Sequence, residues 1–316
     1  MNYRKLGKHG VKVSEVGLGS WLTYGGATEN DAAKACIETA YDAGINFFDT
    51  ANAYARGKSE EVVGKVLSAY ERSSYVLATK VFFPMGDGVN DRGLSRKHIT
   101  EQCHASLKRL GTDYIDLYQC HRYDLETPLA ETLSTLDDLV KQGKILYYGV
   151  SQWSAAQITD AVTMTQERGF NPVASNQPVY NALNRDLERE VMPLCGREGI
   201  GLVVYSPLAQ GLLTGKYKPG APLPEGSRAA DDKQNQFLNN GNLDEKVLAK
   251  VENLLPLAER HGVSMSQLAL AWCLRKPEVS SVIIGASKPA QVTDNAGASG
   301  VSLSPEEWAE MDAVLA

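Results

Sequence analysis

Eight short apolar runs alternate with amphipathic segments along this chain of 316 residues, and this alternation constrains its fold most strongly. Helical patterns end in glycine directly before a run, as in the pattern from Thr28 to Asp42, which Gly44 follows. Glycine accepts the left-handed conformation just beyond the end of a helix. Each helical pattern that ends in glycine before an apolar run therefore indicates half of a βαβ unit in a parallel sheet. Eight units in a chain of this length favour a closed (β/α)8 TIM barrel of the α/β class. The runs are residues 16–19, 45–48, 75–78, 114–118, 145–150, 172–175, 201–205 and 281–284.

A doubly wound open sheet is the alternative fold for such alternation. Its usual dinucleotide fingerprint, G-x-G-x-x-G, does not follow the first run, because Gly17-Leu18-Gly19 continues as Ser20-Trp21-Leu22 without the third glycine. A dinucleotide, if bound, is therefore bound in another way. No linker or internal repeat divides the chain, so residues 1–316 are predicted to form a single domain.

Three segments are predicted as additions to the barrel. Residues 3–13 read as a β-hairpin that caps one end of the main body. Residues 211–242, after the seventh strand, are rich in Gly, Pro, Asn and Asp and predict a long loop of the kind that clamps a ligand. Residues 305–315 predict an extra C-terminal helix opened by Ser304.

Charge and composition exclude several classes of function. The formal net charge of −6 argues against a general nucleic-acid binder. No run reaches the ~18 apolar residues of a membrane span, so no membrane insertion is predicted. Five cysteines without a C-x-x-C pair predict reduced thiols and a cytoplasmic location. No metal is predicted, since His98 and His104 are six positions apart rather than four and the other histidines also lack metal-ligand spacing.

Polar side chains stand at the ends of three consecutive predicted strands. Asp49 directly follows the second run, and Tyr54 comes five positions later. Lys80 ends the third strand and His121 ends the fourth. Neighbouring strands lie about 4.8 Å apart and barrel chemistry gathers at their carboxyl ends, so these side chains are predicted to converge on one pocket.

These four residue types can protonate an oxygen as negative charge develops on it. A lysine ammonium beside the Tyr54 phenol is expected to lower the pKa of that phenol, and Asp49 is expected to hold Lys80 charged and in place. His121 is expected to direct the substrate oxygen or to share in proton delivery. Reduction of a carbonyl by hydride requires this proton donation.

The chain resembles the aldo-keto reductase superfamily, and within it the branch of the voltage-gated potassium channel β-subunits and their bacterial relatives. The resemblance covers essentially the whole chain. It rests on YRKLGKHGVKVSEVGLGSW, FDTANAY followed by GKSEEVVG, RGLSRKHI, SLKRLGTDYIDLY, YSPLAQGLLTGKY and LAWCLRKPEVSSVIIGAS.

The resemblance implies an NADPH-dependent oxidoreductase whose catalytic tetrad falls on Asp49, Tyr54, Lys80 and His121, with Tyr54 as the general acid. The channel β-subunits carry Asn where this chain has His121, and this departure favours a working reductase over a regulatory subunit. The branch includes multimeric proteins, so a homo-oligomer is compatible with the resemblance. The partner it implies is a small carbonyl substrate.

The cofactor site is placed partly by barrel architecture, since loops after strands seven and eight commonly bind phosphate. The resemblance implies that Tyr205 stacks on the nicotinamide, and that the region after strand eight holds the adenosine 2′-phosphate. Lys216 suits a phosphate, and Arg228 suits the adenosine end. The full predicted set is Ser20, Trp21, Asp49, Ser151, Gln152, Gln177, Tyr205, Ser206, Leu208, Gln210, Gly211, Lys216, Arg228, Gly285, Ser287, Lys288, Gln291, Asp294 and Asn295.

The substrate is predicted to be an aldehyde or ketone with an apolar or aromatic body. The predicted pocket walls are Trp21, Tyr54, Phe82, Phe83, His121 and Trp153. Two other functions stay open. Lys80 at a strand end could form a Schiff base with substrate, as in class I aldolases. An NADPH-binding regulatory module that reports redox state to a partner protein is the other alternative.

Overall fold

The structure is a computed structural model that describes residues 1–21, 24–25, 30–232, 235, 238, 241 and 243–316. Thr28, the predicted start of the first helix, lies outside the described residues. So do residues 233, 234, 236, 237, 239, 240 and 242 of the predicted long loop.

Strands and helices alternate along the chain as predicted. The strands are β1 (Tyr3–Lys5), β2 (Lys12–Ser14), β3 (Val16–Gly19), β4 (Phe47–Asp49), β5 (Val76–Val81), β6 (Ile115–Cys120), β7 (Ile145–Ser151), β8 (Ser175–Gln177), β9 (Gly201–Tyr205) and β10 (Val279–Gly285). The helices are α1 (Asn30–Asp42), α2 (Lys58–Leu67), α3 (Arg96–Leu110), α4 (Leu129–Lys141), α5 (Ala155–Arg168), α6 (Val191–Glu198), α7 (Glu245–Glu252), α8 (Leu255–Arg260), α9 (Met265–Leu274), α10 (Pro289–Ala296) and α11 (Pro305–Leu315).

Strands β3 to β10 form a closed parallel barrel, which confirms the (β/α)8 prediction. Neighbours in sequence pair in register, and β10 closes the barrel by pairing with β3, with Val282 opposite Val16 and Gly285 opposite Gly19. All carboxyl ends of the strands therefore meet at one end of the barrel, where the connecting loops build the mouth.

The N-terminal hairpin of β1 and β2 closes the opposite end of the barrel, as predicted for a cap. Leu6 and Val13 are fully buried against side chains from several barrel strands. The amide of Lys8 donates to the carbonyl of Gly199, directly before β9. The hairpin thus seals the amino-terminal ends of the strands and leaves only the carboxyl ends for a cavity. The cluster also contains Phe47, Val76, Ala78, Leu117, Val203 and Ile283 from barrel strands, and Ala174 directly before β8.

Capping residues set the helix bounds. Ser95, Ser154 and Ser304 each accept a backbone amide at the start of a helix, and Gly111 and Gly169 end helices in the left-handed conformation. The long loop joins β9 to α7 and contains single turns at Ala209–Thr214 and Arg228–Ala230. Helix α11 follows as the predicted C-terminal addition.

Candidate functional site

A buried ion pair forms the floor of the barrel mouth. Lys80 Nζ, which is fully buried, lies 2.5 Å from Asp49 Oδ2 and donates to the carbonyl of Thr50 at 2.8 Å. The other carboxylate oxygen, Asp49 Oδ1, accepts the side-chain amides of Gln177 at 2.8 Å and Gln119 at 3.3 Å. Because strands β4, β5, β6 and β8 all contribute, the barrel holds this pair rigidly.

Tyr54 stands over the ion pair on the turn that follows β4. Its Oη lies 3.4 Å from Lys80 Nζ, and its ring meets the His121 ring edge to face at 5.7 Å between centroids. The next two residues, Ala55 and Arg56, have φ of 47° and 52°, a left-handed conformation that is unusual without glycine. The structure thus brings together the four residues that the sequence predicted to converge.

The protonation states follow from burial. Burial raises the pKa of the Tyr54 phenol well above its usual value, and the charge of Asp49 raises it further. The pKa of His121 lies well below its usual value. Burial is the main cause, and the charges of Lys80 and Arg122 lower the pKa further. Burial also lowers the pKa of Lys80, while Asp49 opposes that change.

The direction at Tyr54 corrects the sequence prediction that Lys80 lowers the pKa of the phenol. Loss of water around the phenolate is the largest cause, and an ammonium 3.4 Å away does not reverse it. Tyr54 and His121 are therefore neutral at pH 7, and the phenol still carries its proton.

A cavity of about 1190 Å³ opens above this floor and extends toward β9, β10 and the long loop. Most of the predicted site residues line it. They are Trp21, Asp49, Tyr54, Phe83, His121, Ser151, Gln177, Tyr205, Ser206, Leu208, Gln210, Gly211, Lys216, Arg228, Gly285, Ser287, Gln291, Asp294 and Asn295.

Six predicted residues lie outside the lining of this cavity. Lys80 belongs to the buried ion pair at the floor and has no surface that faces the cavity. Ser20 is buried and accepts a hydrogen bond from Ser59, and Lys288 is exposed before α10. Gln152 contacts a residue that lines the cavity, because its Nε2 donates to the Tyr205 hydroxyl at 2.7 Å.

The other two are predicted pocket walls, Phe82 and Trp153. Phe82 packs edge to face on Phe83, at 5.3 Å between centroids, and Phe83 itself faces the cavity. Trp153 is buried and packs edge to face on Tyr123 at 4.7 Å. Neither side chain lines the cavity in this structure.

Sequence reasoning missed several residues of the cavity, of which Arg122 is the most informative. It directly follows His121, so the strand-end argument that found His121 could have found it. Most of the others lie on loops whose path no periodicity predicts. The remaining missed residues are Gly19, Ala53, Val179, Asn181, Leu183, Asn184, Pro207, Ala209, Ser266, Ile283, Ile284 and Ala286. The 211–242 loop, predicted as a whole to clamp the ligand, also contributes Leu212, Thr214, Gly226, Ser227, Ala230, Asp231 and Leu238 to the lining.

The turn after β9 brings two cations to one concavity. Ala209, Gln210 and Gly211 follow one another with φ of 48°, 59° and 99°, and the amides of Ala209 and Gly211 each donate to a carbonyl earlier in the same turn at 2.9 Å. A Cβ at Gly211 would lie 2.9 Å from Nζ of Lys216, so only glycine lets that ammonium approach the backbone. Arg228 is hydrogen-bonded to the Gln210 side chain beside it. The two cations, Lys216 and Arg228, beside one concavity fit a phosphate-bearing ligand.

Three further features of the described chain bear on function. None of its helices is long and apolar enough to cross a membrane. All five cysteines are buried free thiols. The described residues contain no group of three His, Cys, Asp or Glu side chains placed to hold a metal ion, and the prediction of no metal stays a prediction.

Comparison with known proteins gives similarity along nearly the whole chain. The sequence profile of the "Aldo/keto reductase family" matches residues 15–316. An Arabidopsis thaliana protein named "Probable voltage-gated potassium channel subunit beta" is 44% identical over 298 residues, covering 93% of this chain and 90% of that protein. A protein of the same name from Oryza sativa subsp. japonica is 42% identical over 320 residues, covering 100% of this chain and 97% of that protein. These similarities confirm the resemblance inferred from the motifs.

Proposed function

This chain belongs to the aldo/keto reductase family, and on that premise we propose that it reduces aldehydes and ketones to alcohols with NADPH. The observation that carries the proposal is the cluster of Tyr54, Lys80, Asp49 and His121 at the floor of a cavity large enough for a dinucleotide and a small substrate. NADPH, when bound, supplies the hydride that a carbonyl carbon accepts.

The cofactor would occupy the β9 and β10 side of the cavity. Tyr205 at the end of β9 offers an aromatic face, and its hydroxyl is fixed by Gln152. The turn at Ala209–Thr214, with Lys216 and Arg228, would hold phosphate groups. Ser151 and Gln177 offer hydrogen bonds near the floor, where the ring that carries the reactive carbon would lie.

Tyr54 would act as the general acid. The Tyr54 hydroxyl gives its proton to the carbonyl oxygen as charge develops there, and the phenolate that forms faces the Lys80 ammonium. Asp49 keeps Lys80 charged in spite of burial, because the ion pair offsets the loss of water. His121, held neutral, can hydrogen-bond the same oxygen and orient the carbonyl.

The test is the Tyr54→Phe variant, assayed by loss of NADPH absorbance with a panel of aldehydes. We expect turnover to fall by about 10² to 10⁴-fold, because the proton donor is lost. NADPH binding, measured by calorimetry, should stay near that of the wild type, because the ring remains. Near-normal turnover in this variant would remove Tyr54 as the acid, and absence of NADPH binding by the wild type would remove the cofactor.

A regulatory subunit is the second candidate, supported by the names of the relatives that are 44% and 42% identical. Such a protein would bind NADPH and act mainly on a partner. The resemblance places Asn at the position of His121 in channel β-subunits, so the histidine favours turnover. Turnover much slower than cofactor exchange, together with co-purification of a membrane protein, would decide for the regulatory function.

A Schiff-base aldolase has less support. Lys80 has no exposed surface, and its ammonium is bound to Asp49 Oδ2 and to the Thr50 carbonyl. To attack a carbonyl it would have to break an ion pair and leave Asp49 unpaired in a buried site. Borohydride trapping of substrate on Lys80 would nevertheless establish this chemistry, and a failure to trap combined with NADPH oxidation would exclude it.

A further inference from the structure

Arg122 places a positive charge at the substrate end of the cavity. It comes two residues after the end of β6, and it lines the cavity together with its neighbour His121. Its guanidinium carbon lies 5.5 Å from the centroid of the Phe83 ring, which in turn packs edge to face on His121 at 4.8 Å. The cation is thus held beside the proposed proton donor by an aromatic wall.

The guanidinium of Arg122 is left largely without protein acceptors. Within the described part of the chain its one hydrogen bond runs from Nη1 to the carbonyl of His121 at 2.6 Å, and no carboxylate lies within ion-pair distance. Two other partly buried arginines are paired with carboxylates, Arg72 with Asp116 at 2.5 Å and Arg109 with Glu60 at 2.6 Å. An arginine carries five N–H donors, so most of the donors of Arg122 remain free for a ligand.

The acidic residues that line the cavity do not supply the missing partner. Asp49 is paired with Lys80, and Asp294 is bonded to Ser264 and Gln267 on the far side of the cavity. Asp231 lies on the long loop and is not within ion-pair distance of Arg122. The chain as a whole carries a formal charge of −6, which repels anions. A partly buried cation at this place therefore offers an anion a local attraction that the net charge of the chain opposes.

The phosphates of the proposed cofactor do not account for Arg122. Those groups would be held by the turn after β9, where Lys216 and Arg228 already stand. Arg122 belongs to the loop after β6, next to His121 and Phe83, where a carbonyl substrate would sit. Its charge also acts on Tyr54, whose pKa it lowers against the larger effect of burial.

We propose that Arg122 is a specificity-determining residue that binds an oxyanionic group, a carboxylate or a phosphate ester, on the carbonyl substrate. The planar fork of arginine matches both groups with paired hydrogen bonds. The inference rests on the proposed reductase function and narrows its substrates to carbonyl compounds that carry such a group. Trp21 and Phe83 would enclose the carbon skeleton between the carbonyl and the anion.

The first test is binding without turnover, on protein saturated with NADP⁺. Calorimetry with benzoate, phenyl phosphate and the neutral benzamide is compared for wild type, Arg122→Gln and Arg122→Lys. We expect the wild type to bind at least one of the anions more tightly than benzamide, and Arg122→Gln to lose about tenfold or more of that affinity. Arg122→Lys should retain part of it, because the charge stays and the fork is lost. The two anions show which oxyanion the site prefers.

The control variant is Arg197→Gln, which removes the same charge from the exposed last turn of α6, at the hairpin end of the barrel. It should bind every probe as the wild type does. Equal binding of anions and benzamide by the wild type would overturn the inference. So would anion binding that Arg122→Gln and Arg197→Gln reduce equally, because a loss of net charge would then explain it.

The second test separates this inference from the reductase function. With 4-carboxybenzaldehyde, Arg122→Gln should raise KM about tenfold and leave kcat near that of the wild type. With the neutral 4-carbamoylbenzaldehyde both constants should stay within about twofold. A similar fall in kcat for both aldehydes would show that the charge of Arg122 promotes the reaction of any substrate. That result would overturn the inference. If no aldehyde is reduced while anion binding still depends on Arg122, the reductase proposal fails and the anion site stands.

Discussion

Removal of one charge from the buried pair of Lys80 and Asp49 has a predictable cost in the free energy of unfolding. Lys80→Met leaves the Asp49 carboxylate, 5% exposed, without a cation. We expect the free energy of unfolding in urea to fall by about 3–5 kcal/mol, because an unpaired buried charge keeps its desolvation penalty and loses its attraction. The remaining amide donors, Gln177 and Gln119, offset only part of that penalty.

The double variant Asp49→Asn/Lys80→Met is the matched control for this pair. It removes both charges, so it should be more stable than Lys80→Met alone although it carries one more substitution. A double variant less stable than the single one would show that the ion pair is not what stabilises this part of the barrel.

His121 gives the site a predictable dependence on pH. Its pKa is held well below the usual value by burial and by the charges of Lys80 and Arg122. Below about pH 6.5 the unfolded chain binds a proton at this position that the folded protein rejects, so stability falls as pH falls. His121→Asn should reduce this slope by up to about 1.4 kcal/mol per pH unit, measured by urea unfolding between pH 6.5 and 5.

His9 and His98, whose pKa values burial also lowers, contribute with the same sign and remain in both proteins. The comparison therefore isolates His121. An equal slope in wild type and His121→Asn would mean that the imidazole is protonated in the folded protein.

At the level of single residues, the sequence predicts where a residue lies better than it predicts the pKa or the packing of its side chain. Asp49, Tyr54, Lys80 and His121 were predictable because a parallel barrel brings strand ends together regardless of the side chains there. The direction in which the pKa of Tyr54 is shifted was not predictable, because it depends on how far the loops remove water from the phenol. Trp153 was expected in the pocket and packs on Tyr123 instead, since aromatic character alone does not distinguish a wall from a core.

At the level of elements, apolar runs predicted the order of strands and helices but not every boundary. The sixth run was predicted at 172–175, whereas β8 is Ser175–Gln177, because the registered pairing with β7 and β9 begins only at Ser175. The helical pattern of residues 243–260 is divided in the structure between two helices, α7 and α8. Pro256 stands in the first turn of α8, where a missing amide hydrogen is tolerated, and it would interrupt a continuous helix.

The contact between α2 and α3 supplies a prediction at this scale. A Cβ added at Gly64 in α2 would lie 2.3 Å from the carbonyl oxygen of Leu110, at the end of α3. Gly64→Ala should therefore destabilise the protein by about 1–3 kcal/mol, since the clash with backbone exceeds the ~1 kcal/mol that alanine gains in a helix. Thermal unfolding followed by circular dichroism measures the difference.

Gly10→Ala is the control, because a Cβ at the exposed Gly10 would meet no atom within 4 Å. It should leave the melting temperature unchanged or slightly raised. A Gly64→Ala protein as stable as the wild type would mean that the two helices separate without cost, and that the glycine is not required for their close approach.

At the level of the whole molecule, the beginning and end of the chain are joined, and we propose that residues 1–316 form a single domain. Strand β10 closes the barrel against β3. Arg4 in the hairpin bonds to Glu15 at 2.8 Å and donates to the carbonyl of Val279, the first residue of β10, at 2.9 Å. A disturbance at the fourth residue should therefore reach a strand some 270 positions later in sequence.

Arg4→Met should loosen the hairpin and β10 together. Loss of these charge-assisted bonds leaves the Val279 carbonyl and the largely buried Glu15 with fewer partners, at a cost of about 1–3 kcal/mol. Hydrogen exchange of the amides of β10 should then accelerate about tenfold, read by mass spectrometry of peptides that cover residues 279–285. Lys5→Met removes the same charge from an exposed neighbour and should not change exchange there. Faster exchange confined to the hairpin would contradict the single domain, because the two ends would then open independently.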